Sequence, residues 1–174
     1  VFFYTLEKFY KLKRIKEIIF VVNKEDLSTV IEKWLNELKA YKVTKIIVGG
    51  ERRQDSVYQG LSQLDPDTKI VLIHDVVRPL VKSREIEEVI ERADQKGAAI
   101  LASPMKLTVK KVNSSLEIIK TVPRHDLWMA QTPQGFKRDL IVNAYGKIKD
   151  TNAELTDDAE VVEKAGHTVE IVSG

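Results

Sequence analysis

The sequence predicts an α/β domain with a doubly wound, mostly parallel sheet. Short runs rich in Ile and Val alternate with stretches of helical apolar period, the pattern of strands joined by crossover helices. One hairpin breaks that alternation after residue 102. No internal repeat, low-complexity tract or linker divides the chain. Residues 1–174 therefore read as one domain, with residues 105–123 as an arm within it.

Tyr4 to Leu12 places Leu6, Phe9 and Tyr10 at helical spacing, and Glu17 to Val22 reads as a buried strand. Leu27, Val30, Ile31, Trp34, Leu35 and Leu38 recur at three and four residues, which predicts an amphipathic helix. Lys45 to Val48 is a second strand, closed by Gly49-Gly50. Ser56 to Leu64 reads as a short helix and Lys69 to His74 as a third strand. Ser83 suits the cap of a helix whose inner face is Ile86, Val89, Ile90 and Ala93 and which Gly97 ends. Ala98 to Ala102 is the fourth strand. Thr108 to Val112 and Glu117 to Thr121 are β-prone runs joined by Asn113-Ser114-Ser115, a hairpin. Its sequence is too charged and thin to bury alone, so it reads as an arm that packs on a partner subunit. Phe136 to Ile148 and Asp157 to Ala165 are the last helices, and Thr168 to Val172 the last strand.

Bulk properties exclude several classes. Hydrophobic residues make up 43% and charged residues 31% of 174 residues, ordinary values for a globular chain with a core. The formal net charge of +2 gives no case for a nucleic-acid surface. The chain has no cysteine, which excludes disulfides, zinc-thiolate sites and cysteine nucleophiles, and fits a reducing cytoplasm. No apolar run approaches the roughly 20 residues of a membrane-spanning helix. The first residue is Val1, and the last strand-like run stops at Val172-Ser173-Gly174, so both ends read as cut.

Chemistry concentrates at strand ends. Ile73-His74-Asp75-Val76-Val77-Arg78-Pro79 puts an acid and a base three residues apart just past a strand, where open α/β sheets bind ligands. Asp75 suits a hard cation and Arg78 an anion, together a phosphate site; a structural ion pair that stiffens the loop fits as well. His74 reads as a hydrogen-bonding residue at the edge of the core. Gly49-Gly50-Glu51-Arg52-Arg53-Gln54-Asp55-Ser56 joins a strand to a helix N-terminus, either as an anion or base-edge site or as a plain turn with a Ser or Asp cap. Thr121-Val122-Pro123-Arg124 ends the hairpin, and Gln131-Thr132-Pro133-Gln134 follows Leu127-Trp128-Met129-Ala130, with Thr132 in a turn and Trp128 in the core. Thr156-Asp157-Asp158 is a helix start, a threonine cap with two acids in the first turn. Lys106, Lys110, Lys111 and Lys120 make the arm basic, as a solvated edge that resists aggregation.

Taken in order, Gly49 to Leu61, His74 to Pro79, Thr121 to Arg124, Leu127 to Phe136 and Leu155 to Glu163 resemble the methylerythritol 4-phosphate cytidylyltransferases of isoprenoid synthesis. The spacing matches along essentially the whole chain. The resemblance implies that a polyol phosphate attacks the α-phosphate of CTP and releases pyrophosphate, with a divalent cation, usually Mg2+, neutralising charge. It implies that Gly50, Arg53 and Ser56 frame the cytosine, and that Asp75 helps hold the metal or the substrate. Arg78, Thr132 and Thr156 would line the acceptor pocket. Thr108 and Arg124 would reach from the arm to the acceptor phosphate in a neighbouring subunit's site, which makes a homodimer part of the mechanism.

The chain departs from the family pattern in four places. The family opens with a strand and a glycine-rich loop carrying an arginine and a Pro-Lys pair, and closes with a lysine-bearing segment and a helix; this chain starts after the first and stops before the second. Leu107 stands where the family often has an aspartate, and Val76 and Val77 replace smaller residues. The expectation is that residues 1–174 alone are poorly stable and do not turn over. Ribitol 5-phosphate cytidylyltransferases share the nucleotide motifs and form an alternative reading; a non-catalytic nucleotide-binding fragment forms another. A sugar-nucleotide glycosyltransferase would want an Asp-x-Asp metal motif, and Asp65-Pro66-Asp67 sits in a turn before a strand, not after one.

Overall fold

A computed structural model describes residues 1–148 and 155–174. The elements run α1 (Phe2–Tyr10), β1 (Ile18–Val22), α2 (Leu27–Ala40), β2 (Val43–Val48), α3 (Arg53–Ser62), β3 (Ile70–Ile73), α4 (Ser83–Lys96), β4 (Ala98–Pro104), β5 (Val109–Val112), β6 (Ile118–Val122), β7 (Trp128–Lys137), α5 (Arg138–Ile148), α6 (Asp158–Lys164) and β8 (Glu170–Ser173). The predicted alternation is present, and so is the hairpin.

The main sheet has the order β3-β7-β4-β8. β3, β4 and β8 run the same way, and β7 runs against them between β3 and β4. β1 and β2 form a separate parallel pair. The sheet is thus mostly parallel, as expected, but β7 corrects the reading of its stretch. Residues 127–136 were expected to hold an apolar run, a turn and the start of a helix. They form one long strand, and the helix begins only at Arg138. Trp128, expected in the core, is 40% exposed at the outer end of that strand.

Alternation of side chains across the sheet creates two cores. Ala98 and Ile100 on β4, with Val71 on β3 and Phe136 on β7, pack against Ile141, Tyr145, Val161 and Val162 of α5 and α6. Ala99 and Leu101 point the other way, to Ile86, Val89, Ile90 and Ala93 of α4. Residues 98–102 are all buried, because helices cover both faces. That is the doubly wound arrangement. A third cluster sets Leu6 of α1 and Val30 and Leu38 of α2 against Val43, Ile18 and Phe20 of the β1–β2 pair.

Helix ends are satisfied differently from expectation in two places. Ser83 is the first helical residue of α4 rather than its cap. The Glu85 carboxylate reaches back to accept the Lys82 N–H at 2.9 Å. At α6 the cap is Asp157, not Thr156; its carboxylate accepts the Glu160 N–H at 2.9 Å. Gly97 does end α4, with φ +98°.

β1 pairs only with β2, and β3 only with β7, among the described residues. The facing edges, Ile18 to Val21 and Ile70 to Ile73, line one cavity of about 840 Å³. α1 and α3 span it: Phe9 and Val57 both border the space.

Gly135 allows β7 to sit under α4. A Cβ there would lie 2.8 Å from Val89 Cγ1 and 3.0 Å from Leu72 Cδ2. Gly135→Val should therefore lower the unfolding free energy in urea by about 1–3 kcal/mol through overpacking. An unchanged denaturation midpoint would show that the sheet and α4 have slack at this point.

Candidate active site

The site is assembled where β2 and β3 end, where β7 passes beside the end of β3, and where α6 begins. The turn after β2 comes first. Gly49 and Gly50 are required by close approach to the start of α3. A Cβ on Gly49 would meet Ser56 Oγ at 2.5 Å, and one on Gly50 would meet Asp55 Cβ at 2.3 Å. The Gly50 N–H donates to Ser56 Oγ at 3.1 Å. The Asp55 carboxylate accepts the Arg52 N–H at 3.2 Å, which closes the helix start. α3 begins at Arg53, earlier than expected, and this places Arg53 in its first turn.

The loop after β3 is held at three backbone points. Thr132 Oγ1 accepts the Asp75 N–H at 3.2 Å. Thr5 Oγ1 donates to the Val76 carbonyl at 2.6 Å. His74 Nε2 donates to the Arg78 carbonyl at 3.1 Å. His74 is thus the core-edge hydrogen-bonding residue that the sequence suggests. Its ring packs on Phe9 with centroids 4.7 Å apart, and its Nδ1 is buried without a partner. Burial pushes its pKa down to about 4, despite the Arg78 carbonyl and the Asp75 charge, so the ring is neutral near pH 7.

Asp75 is shared by two arginines. Arg78 Nε donates to one carboxylate oxygen at 3.0 Å, and Arg53 Nε and Nη2 approach the other at 3.4 Å. The expected acid–base pair in this loop exists, and Arg53 extends it. Arg53 Nη2 also donates to Asp158 Oδ2 at 2.8 Å. Asp158 is fully buried. Its other oxygen accepts the Tyr145 hydroxyl at 2.6 Å. Burial opposes the charge on Arg53, but Asp158 and Asp75 outweigh it and hold the guanidinium pKa above its ordinary value. Burial, reinforced by the Asp158 charge, raises the Tyr145 phenol well above its ordinary value, so it stays a donor.

A buried amide fixes the far side. Gln134 Oε1 accepts the N–H groups of Asp158 and Ala159 at 3.1 and 3.0 Å, and its Nε2 donates to Asp157 Oδ2 at 2.8 Å. Gln134 therefore caps α6 from β7. Sequence reading passed over Asp158, Tyr145 and Gln134 as site residues. Asp158 looks like any acid in a first helical turn, and no local signal sets it apart.

The structure brings together Gly50, Arg53, Ser56, Asp75, Arg78 and Thr132. Thr156 lies two residues before Asp158, where its hydroxyl donates to Glu160 Oε2 at 2.9 Å. Thr132 is buried, and the bond it makes is to the backbone of Asp75. Thr108 and Arg124 sit on the arm, both exposed. Arg124 donates to the Lys106 carbonyl and so ties the base of the arm together. Among the described residues, no hydrogen bond links either of them to the cluster around Asp75. Among the described residues, no group of three or more His, Cys, Asp or Glu side chains is positioned to hold a metal there either. Asp75 can give one carboxylate, so the donor set fits a magnesium ion only if a ligand's phosphates supply most of its oxygens.

A two-sided α/β sheet with arginines, a carboxylate and a glycine turn at its strand ends is consistent with the nucleotide-diphospho-sugar transferase fold, which its structural neighbours share. The family profile of "IspD: 2-C-methyl-D-erythritol 4-phosphate cytidylyltransferase" matches residues 1–174, and the chain belongs to that family. A protein of that name from Alkaliphilus oremlandii is 42% identical over 98% of this chain and 72% of its own length. Another from Dictyoglomus thermophilum is 40% identical over the whole of this chain and 76% of its own. The crystal structure of 4-diphosphocytidyl-2C-methyl-D-erythritol synthase from Anaerococcus prevotii superposes with a TM-score of 0.88 at 31% identity. The match covers 99% of this chain and 76% of that one.

His74 makes stability depend on pH. Its folded pKa lies below its unfolded value of 6.5, so between about pH 4 and 6.5 the unfolded chain binds more protons. The stability it contributes is complete above pH 6.5 and is lost as pH falls toward 4, up to about 3 kcal/mol in all. His74→Phe should flatten that part of the urea-unfolding profile. A profile of unchanged slope would mean that other groups cause the acid loss.

Proposed function

We propose that the cluster around Asp75 is the CTP and acceptor site of this cytidylyltransferase, and that the residues singled out by sequence act as follows. The family transfers CMP from CTP to 2-C-methyl-D-erythritol 4-phosphate and releases pyrophosphate, in the synthesis of isoprenoid precursors. The observation that carries the assignment of roles is the Arg78–Asp75–Arg53 chain at the strand ends, next to the Gly50 turn. Gly50, Arg53 and Ser56 take the cytosine and ribose side of CTP. Asp75 and Arg78 act on the reacting phosphate and the acceptor, because a guanidinium forks onto phosphate oxygens. Thr132 supports this by fixing the Asp75 backbone, and Thr156 offers a hydroxyl to the polyol.

Magnesium would be held by one oxygen of Asp75 and by the phosphates, and it would supply charge neutralisation at the triphosphate. The arm supports a homodimer. Its strands are exposed, and Leu107, Leu116, Ile118 and Ile119 are 76%, 81%, 63% and 58% exposed. An apolar stretch of this kind suits cover by a second copy, which would carry Thr108 and Arg124 to the neighbouring site. No helix among the described residues is long and apolar enough to cross a membrane. A cysteine-free chain of this kind suits the cytoplasm.

Calorimetry on the chain itself reads these roles without turnover. CTP should bind more tightly when magnesium is present, and Asp75→Asn should abolish that gain while leaving metal-free binding. A variant that keeps the gain would remove Asp75 from the metal. With CTP bound, 2-C-methyl-D-erythritol 4-phosphate should bind about tenfold more tightly than ribitol 5-phosphate, a difference of about 1.4 kcal/mol; the reverse order would move the acceptor to the alternative class. Sedimentation should give a dimer, and removal of residues 107–121 a monomer. A dimer that survives that deletion would exclude the arm as its cause.

A further inference from the structure

We infer that Asp158 is a positioning residue of the nucleotide site, which fixes the Arg53 guanidinium from below. The inference rests on the reading of Arg53 as a nucleotide contact. The Arg53 side chain is 39% exposed, long and flexible, and would lose much rotamer freedom on binding a ligand. The structure removes that freedom in advance. Nη2 is held by the buried Asp158 carboxylate at 2.8 Å, and Nε and Nη2 face Asp75 at 3.4 Å. The Nη1 edge has no hydrogen bond among the described residues and is left for a ligand.

Asp158 is itself immobile. One oxygen takes Arg53 and the other the Tyr145 hydroxyl at 2.6 Å, while the Gln134 amide holds its backbone N–H at 3.1 Å. A buried carboxylate in a purely structural role needs only a satisfied partner. Here the partner is a half-exposed arginine bridged to a second carboxylate at the strand ends. The link runs from the β7–α6 junction to the nucleotide turn after β2. Preorganisation of this kind lowers the ordering cost of binding.

A double-mutant cycle on CTP affinity tests the inference, with calorimetry on the whole chain and Arg53→Ala and Asp158→Asn as its single variants. Asn keeps the shape and an acceptor for Tyr145 and deletes the charge on Arg53. Each single variant should weaken CTP binding about tenfold, and the double variant should be no weaker than Arg53→Ala alone. If Arg53→Ala weakens binding and Asp158→Asn does not, or if the two losses multiply, Asp158 does not act through Arg53 and the inference fails while the nucleotide reading stands. If Arg53→Ala has no effect, the nucleotide reading of Arg53 fails and takes the inference with it. NMR of the unaltered protein decides even where Asp158→Asn does not fold. The Arg53 guanidinium protons, assigned by their loss in Arg53→Lys, should be resolved and in slow exchange. Averaged, fast-exchanging signals like those of an exposed arginine would overturn the inference.

Discussion

The antiparallel seat of β7 between β3 and β4 is the constraint on which the rest depends. β7 fills the middle of the main sheet, so its side chains reach both neighbours and both helical layers. In register, Gln134 lies beside Ile73 on one side and Ile100 on the other. That puts a buried amide beside the end of β3 and the middle of β4, two strands that run the opposite way. Such an amide is costly unless every donor and acceptor is used. Gln134 meets the cost by capping α6, and in doing so it fixes Asp157 and Asp158. Two residues earlier, Thr132 takes the Asp75 N–H. One strand thus sets the position of both carboxylates that hold Arg53.

The charges around Arg53 alternate. Arg78, Asp75, Arg53 and Asp158 follow one another, and Tyr145 ends the series as a neutral donor. Its two ends differ in exposure: Arg78 lies at the surface and Asp158 in the core. A surface pair contributes little by itself, while a buried charge needs its partner. The series joins the two regimes: its inner end supplies rigidity, and its outer end stays wet enough to exchange partners with a ligand.

Much of this was legible in the sequence, for identifiable reasons. Strands β1 to β4 and helices α2 and α4 stand out because continuous Ile and Val runs and a three-to-four-residue apolar spacing have few other readings. The glycine turn, Asp75 and Arg78 were found because they follow strands directly. β7 escaped because Pro133 reads as a turn and Gln131 to Gln134 carry no apolar alternation; their strand is imposed by neighbours on both sides. Asp158 and Tyr145 escaped for a related cause. Their significance lies in an arginine more than ninety positions away in the chain, and no local window contains that pairing.

The cavity between β1 and β3 makes Arg53 a link between two pieces of sheet. Among the described residues no backbone ladder crosses it, and α1 and α3 border the space between the β1–β2 pair and the main sheet. Ile18 of β1 packs in both the α4-side cluster and the β1–β2 cluster, so side-chain packing joins what the ladders do not. Phe9 of α1 and Val57 of α3 stand between the two sheet pieces. Asp75 and Asp158 lie on the main-sheet side and the Gly50 turn on the β1–β2 side, so Arg53 is a polar tie between the two sheet pieces.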